Sequence, residues 1–140
     1  AIPLMFNFHG FGGNAIEYMT YADMRSLAES ENFILVYPQG SNLDGSPHWN
    51  TCPNGGDNKS DADDFGFIAA LVNELSTNYS VDKDRIYATG YSNGGMMAYG
   101  LANYKSETFC GGGFGFRHHA RLYKNPLASH AYGSLTRHCR

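Results

Sequence analysis

The chain has 140 residues, of which 42% are hydrophobic and 16% charged, with a formal net charge of -3. This is a globular composition with enough length for one packed domain, and it excludes a disordered polymer. No apolar run approaches the ~18 residues of a membrane helix, and the acidic balance offers nucleic acid no basic footprint, so neither membrane nor nucleic acid is an expected partner.

Residues 2–8 (Ile-Pro-Leu-Met-Phe-Asn-Phe) are almost wholly apolar and suit a strand buried on both faces, with Pro3 tolerated near its start. His9-Gly10-Phe11-Gly12-Gly13-Asn14 is a Gly-rich turn. Residues 15–32 place Ile16, Met19, Ala22, Met24, Leu27 and Ala28 on one helical face, opened by an Asn14–Glu17 capping pair. Phe33-Ile34-Leu35-Val36-Tyr37 is the clearest strand, and Pro38-Gln39-Gly40 ends it. Residues 41–60 are rich in Gly, Pro, Asn and Ser; unstructured loops of this length are uncommon and tend to carry function. A capping pair, Ser60 with Asp63, then opens a helix to about Tyr79 with Phe65, Ile68, Ala69, Val72 and Leu75 on one face. Arg85-Ile86-Tyr87-Ala88-Thr89 is a third buried strand, and a helix from Met96 runs to about Tyr104.

Strand and helix alternate three times, which predicts an α/β fold: a parallel sheet with helices on both faces. Ligand sites in such sheets form at the carboxyl ends of the strands. The turns at His9-Asn14 and Gly90-Gly95 both fall at that edge.

The second of these turns is Gly90-Tyr91-Ser92-Asn93-Gly94. A Gly-x-Ser-x-Gly between a strand and a helix is the pattern of a nucleophile elbow, although a Gly-rich turn that merely starts a helix shares it. On the elbow reading Ser92 is the nucleophile. Acyl transfer also needs donors for the oxyanion, and the backbone N–H groups of Asn93 and Phe11 stand in the two places that supply them. Trp49, in the long loop, lines a substrate cleft or anchors the loop to the core. Asp57, Asp61, Asp63 and Asp64 lack the Gly and terminal Glu of a calcium loop and read as helix-capping residues. His118, His119, His130 and His138 have no metal-ligand spacing, so no metal and no cofactor is expected. Cys52, Cys110 and Cys139 are odd in number, which leaves one unpaired.

Five ordered blocks then act together: Phe8-His9-Gly10-Phe11-Gly12-Gly13, Phe33-Ile34-Leu35-Val36-Tyr37-Pro38-Gln39-Gly40, His48-Trp49-Asn50, Asp63-Asp64-Phe65-Gly66-Phe67-Ile68, and Arg85 through Gly95. Over residues 1–109 they resemble the polyhydroxybutyrate depolymerase and feruloyl esterase group of α/β-hydrolases. The resemblance implies a secreted, extracellular serine esterase that uses Ser, Asp and His. It implies an ester substrate, either polymeric (a polyhydroxyalkanoate, or a feruloylated or acetylated polysaccharide) or small. Ser92 matches the group's nucleophile, and the His-Gly-x-Gly-Gly turn its oxyanion loop.

In this fold the acid and the histidine follow the serine. All 13 acidic residues here lie at or before Glu107, while five of the ten Lys and Arg residues and four of the six histidines follow Phe109. Residues 110–116 hold four glycines, and no period two or 3.6 follows. The expectation is therefore a partial, incomplete α/β-hydrolase domain at 1–109 and an anomalous basic Gly/His-rich tail at 110–140 that is not its native continuation. The chain opens inside a strand without a Met, which reads as a fragment edge. The second functional reading is a catalytically inactive fragment or binding protein that keeps the first half of the fold. An incomplete parallel sheet has an uncovered edge, so the chain alone is expected to aggregate or be molten.

Overall fold

The computed structural model describes residues 1–53, 55, 56 and 58–115, with backbone only for Asp44 and residues 111–115. The elements are β1 (Ile2–Phe8), α1 (Ala15–Tyr21), α2 (Arg25–Glu31), β2 (Ile34–Val36), a 3-10 turn (Leu43–Gly45), α3 (Asp64–Asn78), β3 (Val81–Tyr91), α4 (Asn93–Tyr104) and β4 (Gly111–Gly115). The four strands form one sheet in the order β2-β1-β3-β4, and every pair is parallel. The β1–β3 register sets Asn7 beside Thr89 and Phe8 beside Gly90. The turns that follow β1 and β3 therefore leave the sheet side by side, at its carboxyl edge.

Alternation along the strands divides the side chains between two faces. Leu4, Phe6 and Phe8 of β1, with Ile86 and Ala88 of β3, share a core with Phe65, Ile68 and Val72 of α3 and Met97, Ala98 and Leu101 of α4. Each fully buried side chain of this size contributes about 1.5–3 kcal/mol relative to exposure, so this layer holds the sheet to α3 and α4. On the other face the Asn7 amide reaches the Ala22 carbonyl at 3.5 Å, and the Tyr37 hydroxyl donates to that same carbonyl at 2.6 Å. Helices thus flank both faces, as the alternating pattern predicts.

Three elements differ from the sequence expectation. Residues 15–32 form two helices rather than one. Tyr37, just past β2, accepts from the Met24 N–H at 3.0 Å and donates to Ala22, so it takes up groups that a continuous helix would have paired. Neither helix buries a residue, and Ile16 and Leu27 of the expected apolar face are 75% and 48% exposed. The Asn14 cap is as expected, accepting from the Glu17 N–H at 2.8 Å. α3 is capped by Asp63, which accepts from Gly66 N–H at 2.9 Å, and not by Ser60. Finally, strand order continues past Phe109. Gly111–Gly115 pairs with β3 from Tyr87 to Tyr91, and four glycines in five residues carry no apolar alternation that would have signalled it. Asp57 and the basic and histidine residues at 116–140 lie outside the described residues.

Candidate active site

β3 ends at Tyr91 and α4 begins at Asn93, so Ser92 alone turns the chain. It does so with φ 51° and ψ -117°, a conformation that costs a non-glycine residue about 1–3 kcal/mol. Close packing imposes the turn. A Cβ on Gly90 would lie 2.5 Å from the carbonyl carbon and oxygen of Gly94, and one on Gly94 would strike the backbone oxygens of Phe8 and His9. Glycine is the residue that lets β1, β3 and the first turn of α4 meet here. Ser92 is half-buried, and its Oγ has no hydrogen-bond partner among the described residues.

The turn after β1 lies against this elbow. The Cβ direction of Gly10 points to within 3.1 Å of Tyr91 Cδ1 and 3.6 Å of Ser92 Cβ. Within the turn, Gly12 N–H donates to the Pro47 carbonyl at 2.7 Å and Gly13 N–H to the Gly10 carbonyl at 3.1 Å. Phe11 N–H has no partner among the described residues, and the Phe11 ring is 57% exposed. Asn93 N–H is the first of α4 and has no intrahelical acceptor. It also sits at the positive end of the helix. The two donors expected from sequence are therefore on neighbouring turns beside Ser92, and neither is spent on the fold.

His9 organises the loop, a role the sequence reading missed. Its ring is 1% exposed. Gly40 N–H donates to Nε2 at 2.9 Å, so the proton is on Nδ1, which donates to the Gly10 carbonyl at 2.7 Å. Gln39 adds its amide at 3.2 Å from Nε2 and accepts from the first N–H of α1, Ala15, at 2.9 Å. The sequence signal was a histidine opening the Gly-rich turn directly after an apolar strand, with Pro-Gln-Gly ending the neighbouring strand.

Trp49 is also 1% exposed, so its indole offers a substrate no open surface. Its placement is that of the anchor: edge-on to Phe8 at 5.0 Å, with Nε1–H donating to the His9 carbonyl at 3.0 Å. The Asn93 side chain clasps the Trp49 backbone at two points, accepting from its N–H at 2.7 Å and donating to its carbonyl at 2.9 Å. The rest of the long loop closes on a polar cluster. His48 donates from Nδ1 to the Ser46 carbonyl and accepts at Nε2 from the Ser60 hydroxyl, both at 2.7 Å. Asp64 accepts from Asn50 N–H at 2.6 Å, and burial raises its pKa. A cleft of about 720 Å³ opens beside this cluster, lined by Asn50, Asp61, Asp63, Phe65 and Lys105, and Ser92 is not part of its wall. Among the described residues no group of three or more His, Cys, Asp or Glu is placed to hold a metal.

The chain around this combination, a positive-φ serine between a parallel strand and a helix with a Gly-rich loop packed on it, is similar to known proteins. The family model described as the prolyl oligopeptidase family matches residues 19–113, more than half of the chain. The chain belongs to the prolyl oligopeptidase family of α/β-hydrolases. Within this α/β-hydrolase setting, NocK of Nocardia uniformis subsp. tsuyamanensis, which is named as an esterase, is 36% identical over 110 residues, covering 78% of this chain and 31% of that protein. Feruloyl esterase B of Thermothelomyces thermophilus is 31% identical over 112 residues, covering 76% and 36%. The solved structure of an acetyl xylan esterase from Aspergillus awamori superposes with a TM-score of 0.65 at 24% identity, over 79% of this chain and 40% of that one, and so shares the fold. The chain spans about a third of the length of the two sequence relatives.

Burial holds His9 below its ordinary pKa of about 6.5, outweighing the opposing Gly10 hydrogen bond. A depressed folded-state pKa means that the unfolded chain takes up the proton first. The His9 contribution to stability is therefore present above pH ~6.5 and lost as pH falls below it. The raised pKa of Asp64 acts in the opposite direction: its contribution is present below about pH 4 and is lost as pH rises through its raised folded-state pKa. As pH falls from about 7.5 to about 5.5, the Tm of His9→Asn should lose less, relative to its value at pH ~7.5, than that of the wild type. Equal slopes for the two proteins would contradict a buried neutral His9.

Proposed function

We propose that this chain carries the nucleophile and the oxyanion-binding part of a serine esterase. Ser92 Oγ attacks an ester carbonyl carbon as its proton passes to solvent, the C–O bond to the leaving group breaks, the departing alkoxide takes up a proton from solvent, and an acyl-Ser92 ester forms. Phe11 and Asn93 N–H groups hold the carbonyl oxygen as it gains charge, and the α4 dipole adds to that field. The observation that carries the reading is Ser92 itself: φ 51° between β3 and α4, with an uncommitted N–H on the following residue and another on the loop that touches it. The printed names of the relatives support a carboxylic ester as substrate, and feruloylated or acetylated polysaccharide as its source. A polyhydroxyalkanoate fits the same chemistry. An extracellular setting follows from the resemblance to secreted esterases.

Among the described residues no base reaches Ser92. His9 and His48 both have their ring nitrogens engaged elsewhere. No Asp or Glu follows Glu107 to orient a histidine in the order this fold uses. An aryl ester with a good leaving group bypasses part of that need, because its phenolate departs without a proton and an oxyanion site alone retains about 10³–10⁴-fold catalysis. Deacylation still has to activate water. With 4-nitrophenyl acetate the chain should release about one equivalent of nitrophenolate in a burst and then turn over slowly. Ser92→Ala should show no burst, with only a slow steady release from water attack at the oxyanion site. A burst that survives Ser92→Ala would remove the proposal, and a wild-type chain without a burst would favour the inactive or binding-fragment reading.

A further inference from the structure

An oxyanion hole works only if its two donors keep a fixed spacing as charge develops between them. Here the donors ride on different elements: Phe11 on the turn after β1, Asn93 on the first turn of α4. We infer that Trp49 is the positioning residue that ties these two donors together, which makes the long loop part of the reactive framework. This inference rests on the esterase reading of Ser92.

The ties are continuous. The Trp49 N–H donates to Asn93 Oδ1 at 2.7 Å, and the Trp49 carbonyl accepts from Asn93 Nδ2 at 2.9 Å. One end of the module is thereby fixed to the residue that supplies the α4 donor. At the other end the indole Nε1–H donates to the His9 carbonyl at 3.0 Å. The His9 ring then donates to the Gly10 carbonyl, the acceptor of the peptide unit whose N–H is that of Phe11. That peptide's oxygen is pinned by His9, and its N–H is the proposed second donor. Core packing sets where the module sits: Trp49 is edge-on to Phe8 at 5.0 Å and tilted against His9 at 5.2 Å. A buried indole N–H needs an acceptor in any case; here that acceptor is the carbonyl of the residue that opens the Phe11 turn, while the Trp49 backbone is held by Asn93.

Donor spacing matters in the transition state and little in the bound ester. Loosening a tie should therefore lower the limiting rate of Ser92 acylation and leave ester binding alone. Trp49→Phe keeps an aromatic ring and the backbone bonds to Asn93 but removes the donation to His9. Asn93→Asp keeps its backbone N–H and the acceptor for Trp49 N–H but removes the donation to the Trp49 carbonyl. The measurement is the burst rate against 4-nitrophenyl acetate concentration, with thermal unfolding of each variant. Trp49→Phe should unfold cooperatively and lower the limiting rate about 10- to 100-fold while the half-saturating concentration stays within about twofold. An unchanged limiting rate, or a half-saturating concentration that rises in step with the loss, overturns the inference. If Trp49→Phe fails to fold, Asn93→Asp is judged by the same two constants, and failure of both to fold also overturns it by making the module a stability element only. A wild-type chain that shows no burst fails the esterase reading itself, before any variant is compared.

Discussion

Gly94→Ala should abolish the cooperative folding of this chain. The added Cβ would land on the carbonyl oxygens of Phe8 and His9, which are backbone atoms and have no rotamer to change. Relief would require α4 to lift from the sheet or β1 to leave its register with β3, where Phe8 pairs with Gly90. Overpacking against movable side chains costs about 1–3 kcal/mol, and against fixed backbone more. That is a large share of the 5–15 kcal/mol by which domains are typically stable. Gly12→Ala is the matched control. It has φ +74° but nothing within 4 Å of a Cβ, so it should cost about 1–2 kcal/mol and keep its transition. Thermal melts and soluble yield decide the matter, and a Gly94→Ala protein with a wild-type Tm would mean that strand and helix pass farther apart than described.

Ser92→Gly should separate stability from reactivity. It removes the nucleophile, so no acyl group can form at this position. It also removes the Cβ that makes φ 51° costly. Relief of about 1–3 kcal/mol exceeds the roughly 0.5–1 kcal/mol entropic disadvantage of glycine, which leaves a net gain on the order of 1 kcal/mol. Ser92→Ala keeps the strain, so Ser92→Gly should melt at least a few degrees above it. Equal Tm values for the two variants would mean that the elbow stores no strain.

The elbow and the loop were legible in the sequence because both depend on local chemistry. Glycine at 90 and 94 announces a close approach, and a Gly-rich turn at the end of an apolar run announces a strand edge. The core face of α3 was legible for the same reason, since its period is carried by Phe65, Ile68 and Val72. What escaped was set by partners distant in the chain. The break between α1 and α2 depends on Tyr37. Ser60 looked like a cap and instead donates to His48, twelve residues earlier. β4 has four glycines among its five residues, so it carries no apolar alternation to read. The roles of His9 and Trp49 depend on contacts with residues 31 and 44 positions away, Gly40 and Asn93, which no local pattern reveals.

The central claim is that Ser92 is a nucleophile held ready beside two free N–H donors. Mass mapping of the chain after brief exposure to 4-nitrophenyl acetate tests it most directly. Acetyl should be found first on the peptide containing Ser92, at no more than one group per chain there, and should persist through the digest because among the described residues no base is placed to remove it. Acetyl spread over lysine and tyrosine side chains, with Ser92 unmodified in a folded chain, would contradict it.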